Sequence, residues 1–138
     1  MSSQIKVFKF GGASLRDADN IRNVAAILEK HRAERLVIVV SAIGKTTNAL
    51  EEVVQSYFDR DGRALDLLKQ IRAKHFVLIQ ELFPKTDDIA ADVNDTFVEV
   101  EWVLEDDPHD AYDYIYDQIV SSVFRTSRAS SQTVLRFC

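Results

Sequence analysis

Gly11 and Gly12, set between a short apolar run and an amphipathic one, constrain this chain more than any other feature. Ile5, Val7, Phe8 and Phe10 read as a β-strand, with Lys6 and Lys9 as its only charges. Two adjacent glycines allow backbone paths closed to other residues and let a ligand come close to the main chain. The N–H groups of such a turn, followed by a helix N-terminus, offer a ready site for phosphate. A lysine at the strand end adds a mobile positive charge able to follow a phosphoryl group. Alone, a strand–Gly-Gly–helix sequence serves equally well as a tight turn.

A second strand strengthens the phosphate reading. Leu36-Val37-Ile38-Val39-Val40 is continuously apolar, as expected of a strand buried on both faces of a parallel sheet. Ser41-Ala42-Ile43-Gly44-Lys45-Thr46-Thr47-Asn48 follows at once, and then a helical pattern at Leu50, Val53, Val54 and Tyr57. Between the strands a crossover helix is predicted near Asp19 to His31, with Ile21, Val24, Ala25 and Leu28 facing inward. That makes a βαβ unit with a right-handed crossover. The carboxyl ends of neighbouring parallel strands are where α/β folds bind ligands.

The stretch Val7-Phe8-Lys9-Phe10-Gly11-Gly12-Ala13-Ser14-Leu15 closely resembles the N-terminal signature of aspartate kinases, in the amino-acid kinase superfamily. Val39 to Leu50 is similar to that family's second element, and Asp117-Gln118-Ile119-Val120-Ser121 resembles the approach to its Gly-Glu pair. Ala13 is a departure, since the family often carries Thr or Ser there. The resemblance implies a three-layer αβα sandwich with a mainly parallel sheet, present here in truncated form. It also implies that the parent transfers the γ-phosphoryl of ATP, with Mg²⁺, to the side-chain carboxylate of L-aspartate, opening the route to lysine, threonine and methionine. Lys9 would be the catalytic residue. Lys9, Gly11, Gly12 and Ser14 would hold the ATP phosphates, and Ser41 and Thr47 would hold aspartate. No metal ligand is assigned to a protein side chain. Thr46 or Thr47 also reads as a local cap for the helix that follows.

Gly44-Lys45-Thr46 invites a P-loop reading, Gly-x-x-x-x-Gly-Lys-Ser/Thr. The first glycine of that pattern would fall on Val39, inside the strand, so the loop is too short to wrap a phosphate. Lys45 then reads as an ordinary loop lysine.

A length of 138 residues fits one domain. The net charge of −5, without a basic stripe interleaved with aromatics, argues against nucleic acid. No apolar run is long enough for a membrane span and no signal-peptide layout opens the chain. A single cysteine, Cys138, excludes an internal disulfide and points to a reducing compartment, with the cytoplasm as the expectation.

Beyond the βαβ unit the chain reads as helices. Gly62 to Leu82 brings Leu65, Leu68, Ile71, Arg72, His75 and Leu78 near one another, and Pro84 closes the segment. His75 is expected at the edge of the core, because no second His or Cys stands at metal spacing. A helix from about Asp87 to Asp106 has Ile89, Val93, Phe97, Val100 and Leu104 on one face and acids on the other. No Lys or Arg occurs from Thr86 to Phe124, which reads as a solvated acidic face, with a metal or cationic partner surface as the alternative; spaced along a helix with no carbonyl-rich loop, these acids do not make a calcium cage. Asp107 to Asp110 is expected as a turn exposing His109. Tyr112, Tyr114 and Tyr116 alternate, but the resemblance favours a helix.

The resemblance covers residues 1–121, the N-terminal part of a catalytic domain, and 122–138 is an atypical tail. No acid follows Asp117, and the end is rich in Ser, Arg and Thr. A shifted reading frame would produce such a switch, and so would a divergent natural C-terminus. The 138 residues alone are expected to be inactive. A small binding protein built on half a kinase domain, and a kinase of another small carboxylate, are the alternatives. Self-association is expected, because an incomplete parallel sheet leaves edges that recruit other chains. The apolar tail residues Val123, Phe124, Val134, Leu135 and Phe137 are the other candidate cover.

Overall fold

The computed structural model describes residues 4–85, 88–108 and 111–121. These residues form two compact units, which part between Lys45 and Thr46. His109 and the tail from Ser122, including its proposed role as a cover, lie outside the described residues.

In the first unit, strand β1 (Lys6–Phe10) leads through a 3-10 turn (Gly12–Leu15) to helix α1 (Ala18–Glu29) and back to strand β2 (Leu36–Val40). The strands pair in parallel, with Lys6 opposite Leu36 and Phe10 opposite Val40. Lys6 donates its amide to the Arg35 carbonyl at 2.9 Å, and Ser41 donates to the Phe10 carbonyl at 3.0 Å, so the ladder runs past both strand ends. This is the expected βαβ unit of an α/β protein. Ile21, Val24 and Leu28 are buried on α1. Ala25 is exposed, contrary to expectation: it follows Val24 by one residue, about 100° around the helix.

The sheet departs from expectation on one face. Phe8, Phe10, Leu36, Ile38 and Val40 are at least half-buried, whereas Val7 is 66% exposed and Val37 and Val39 are 47% and 46% exposed. Strand β2 is therefore not buried on both faces among the described residues. Alternate residues point to opposite sides, and only one side is covered. Phe8 stacks with Phe10 at 6.3 Å and lies 5.0 Å from the His31 ring on the covered side. Glu34 pairs with Lys6 and accepts from His31 at 3.0 Å, and these contacts, Lys6 first, hold its carboxyl below the usual range.

The second unit is helical: α2 (Thr46–Asp59), α3 (Ala64–Leu82), α4 (Asp88–Glu105), α5 (Tyr112–Tyr116) and a π-turn (Asp117–Ser121). Its core brings Leu50, Val53 and Val54 of α2 against Leu68 and Ile71 of α3, Phe97 and Val100 of α4, and Ile119 of the π-turn. The 3.6-residue pattern predicted these faces well. Leu65 is the exception, standing exposed where the sequence placed it inward. The alternating tyrosines do form a helix. Tyr57 donates its hydroxyl to the Asp106 carbonyl at 2.8 Å, and Tyr116 to Glu51 at 2.9 Å, so α2 is tied to the segments that follow α4. Arg72 reaches from α3 to Asn94 and Glu101 of α4.

His75 sits deeper than the core edge, only 6% exposed. Its Nδ1 lies 2.8 Å from the Ile71 carbonyl, a contact that requires Nδ1–H to donate. The ring meets Phe97 edge-on at 5.5 Å.

Candidate functional site

The candidate residues of the first unit gather at the carboxyl end of its two strands. Lys9 is the penultimate residue of β1, opposite Val39, and its odd-numbered position puts it on the open face with Val7. The Lys9 side chain is exposed. The register and the Ser41–Phe10 bond bring Ser41 beside the start of the glycine turn.

The two glycines differ sharply. A β-carbon at Gly11 would meet nothing within 4 Å, so a ligand has room to approach this stretch of main chain. A β-carbon at Gly12 would sit 2.8 Å from the Gly44 carbonyl oxygen and 3.5 Å from that of Ala42. The turn after β1 is thus seated against the turn after β2. Gly44, at φ +54°, takes a left-handed conformation that glycine adopts without penalty.

Ser14 is half-buried, and its amide donates to the Gly11 carbonyl at 2.9 Å, closing the 3-10 turn. That amide is therefore engaged locally rather than pointing to a phosphate. Helix α1 is also unlike the sequence expectation. Asp17 caps it, accepting from the Asn20 amide at 2.9 Å and from Asn20 Nδ2 at 2.6 Å. The Asn20 amide, above all, holds the Asp17 carboxyl below its usual range, so an anionic group already occupies that terminus. An Asp just before an apolar-periodic stretch is a readable helix-start signal, and the sequence reading passed over it. What remains for an anion is Lys9 with the open main chain at Gly11.

Thr47 lies in the second unit, half-buried in the first turn of α2, next to buried Thr46. Lys9, Gly11, Gly12, Ser14 and Ser41 belong to one unit and Thr47 to the other. Lys45 is exposed. Among the described residues no group of three His, Cys, Asp or Glu is placed to hold a metal ion. None of their helices is long and apolar enough to cross a membrane.

Comparison with known proteins gives a consistent result. The family described as "Amino acid kinase family" matches residues 4–122. The chain is 33% identical over 85 residues to the bifunctional aspartokinase/homoserine dehydrogenase 2, chloroplastic, of Arabidopsis thaliana, which covers 62% of this chain and 9% of that protein. It is 40% identical over 65 residues to aspartokinase 2 of Bacillus subtilis, covering 45% of this chain and 16% of that one. Over 44 residues it is 50% identical to aspartokinase 2, chloroplastic, of A. thaliana, 32% of this chain and 8% of the relative. The chain thus spans less than a fifth of the length of each of these relatives.

Proposed function

Because this chain belongs to the amino acid kinase family, we propose that residues 1–121 are the N-terminal part of an aspartate kinase catalytic domain. The reaction assigned to the whole domain moves the γ-phosphoryl of ATP onto the side-chain carboxylate of L-aspartate. One P–O bond to the β-phosphate breaks, another forms to the carboxylate, and ADP leaves. The acceptor is already ionised at neutral pH, so no general base is required. The difficulty is repulsion between a carboxylate and a polyphosphate, and positive charge at the transfer point relieves it.

The observation that carries this reading is Lys9, exposed on the open sheet face near the end of β1, two residues before the unobstructed Gly11. Its ammonium would neutralise the transferring group, with Gly11 and Gly12 as the phosphate-binding turn. Gly12 would contribute chiefly by letting the two turns meet. Ser14 would line the phosphate side through its hydroxyl, since its amide is used within the turn. Ser41 and Thr47 would hydrogen-bond aspartate. Mg²⁺ would arrive with the nucleotide and supply further charge neutralisation; such ions are commonly held largely by substrate phosphates.

The 138 residues by themselves are proposed to be inactive, and to self-associate through the open face at Val7, Val37 and Val39. Incubation with ATP, Mg²⁺, aspartate and hydroxylamine, which traps acyl phosphates, should give no hydroxamate. Calorimetric titration with ATP and with aspartate separately asks whether binding survives. Hydroxamate production that vanishes in Lys9→Ala would refute inactivity while supporting the site. Light scattering over a range of concentrations tests self-association, which a constant monomer mass would rule out.

A further inference from the structure

The 22 acids of this chain are spread unevenly. None occurs in residues 1–16, which carry β1 and its glycine turn, and none in 35–50, which carry β2 and the turn after it. The cations of those two stretches are Lys6, Lys9, Arg16, Arg35 and Lys45. Lys6 pairs with Glu34 and Arg16 with Asp17, and Arg35 precedes β2 at the amino end of the sheet. Lys9 and Lys45 remain at the carboxyl end, both exposed and neither paired with a carboxylate among the described residues.

The contact between the two turns fixes where Lys45 begins. A β-carbon at Gly12 would stand 2.8 Å from the Gly44 carbonyl oxygen. That oxygen and the Lys45 Cα share one peptide plane, about 3 Å apart, so Lys45 leaves the main chain within about 6 Å of the glycine turn. An exposed lysine stem is flexible and spans about 6 Å. The Lys45 ammonium can therefore reach the space over Gly11, where the main chain is unobstructed. Lys9 stands two residues before that glycine on the open sheet face, and Lys9, Lys45 and both glycines belong to the first unit. A polyphosphate carries several negative charges close together, more than one ammonium can match. Charge also builds on the leaving phosphates as the terminal group departs, away from the point where Lys9 acts. A second compact point charge suits that position, and lysine binds phosphate in this way.

We propose that Lys45 is a second phosphate-binding cation, holding together with Lys9 one polyphosphate laid across the Gly11–Gly12 turn. This departs from the loop role expected of Lys45, and it rests on the kinase reading of the site. It also differs from a P-loop, because Lys45 serves the turn of the neighbouring strand rather than its own. Calorimetric titration of the 138-residue chain with inorganic tripolyphosphate at low salt tests it. Lys45→Ala should weaken binding at least about fivefold, and Lys9→Ala likewise. Lys30→Ala removes the same charge just past the end of α1, at the other end of the strands, and should weaken binding less than about twofold. A loss in Lys45→Ala no greater than that in Lys30→Ala, with Lys9→Ala still deleterious, overturns the role of Lys45 and leaves the Lys9 site standing. No binding by the unaltered chain, or binding indifferent to Lys9→Ala, overturns both.

Discussion

A β-carbon on Gly12 would stand 2.8 Å from the carbonyl oxygen of Gly44. Both atoms would belong to main chain or its first branch, so no flexible side chain can yield. The two turns that end the parallel strands therefore touch through bare backbone. Gly12 is the residue that lets β1 and β2 present their ends together.

The neighbouring glycines should respond in opposite directions. Gly12→Ala is expected to destabilise the chain by roughly 1–3 kcal/mol through overpacking, read as a lower urea midpoint. Gly11→Ala places its methyl in open space at φ −83°, ψ 175°, and should stabilise by about 0.4–1 kcal/mol through a stiffer unfolded chain. In an aspartate kinase carrying this segment, the same Gly11→Ala should raise the KM for ATP, because the methyl fills the approach to the main chain.

Lys9→Ala separates charge from packing. The side chain is exposed, so the melting temperature should hold to within the effect of about 0.5 kcal/mol typical of surface changes. In the same longer enzyme kcat should fall by the equivalent of roughly 2–4 kcal/mol, as for other preorganised electrostatic groups. A sharp rise in the KM for aspartate at unchanged kcat would make Lys9 a substrate-binding residue instead.

His75 should make the helical unit sensitive to acid. Its Nε2 is buried with no hydrogen-bond partner among the described residues, and burial holds its pKa below the ordinary 6.5. The unfolded chain therefore binds a proton more readily than the folded one. Stability from this group is complete above about pH 6.5 and declines as pH falls toward the lowered folded value, with a slope of at most about 1.4 kcal/mol per pH unit. His75→Leu should flatten urea-midpoint profiles between about pH 6.5 and 5 relative to the parent. An unchanged slope would place the titration elsewhere.

The turn between α2 and α3 holds a correctable strain. Arg60 has φ +54° and donates its amide to Tyr57, while Asp61 donates to Ser56, the bonding of a Schellman cap whose left-handed position favours glycine. Arg60→Gly should stabilise the chain by roughly 1 kcal/mol, visible as a higher thermal midpoint. Asp61 locks the same turn, accepting from Ser56 Oγ, from the Arg63 amide at 2.9 Å and from the Arg63 guanidinium. Led by the Ser56 hydroxyl, these bonds lower its pKa to about 2. Because the folded value is depressed, that contribution is present above about pH 3.8 and is lost as pH falls toward 2. Asp61→Asn should remove this part of the acid transition.

Much of this protein was legible without coordinates because its signals are local. Apolar alternation and the paired glycines marked β1 and its turn, and helical periodicity marked the core faces of α1, α3 and α4. The stretch from Lys9 to Ser14 marked the strand end and the glycine turn for the same reason: the pattern lies within six consecutive residues. Tertiary structure alone decided the rest. Leu36 to Val40 is apolar at every position, so nothing in it distinguishes the covered residues from exposed Val37 and Val39; only the packing of the folded chain on one side of the sheet does. The separate duties of Gly11 and Gly12 depend on where the Gly44 carbonyl falls, some thirty residues away, and a glycine has no side chain in which such a contact could be read. The depth of His75 likewise depends on Phe97, a neighbour supplied by another helix.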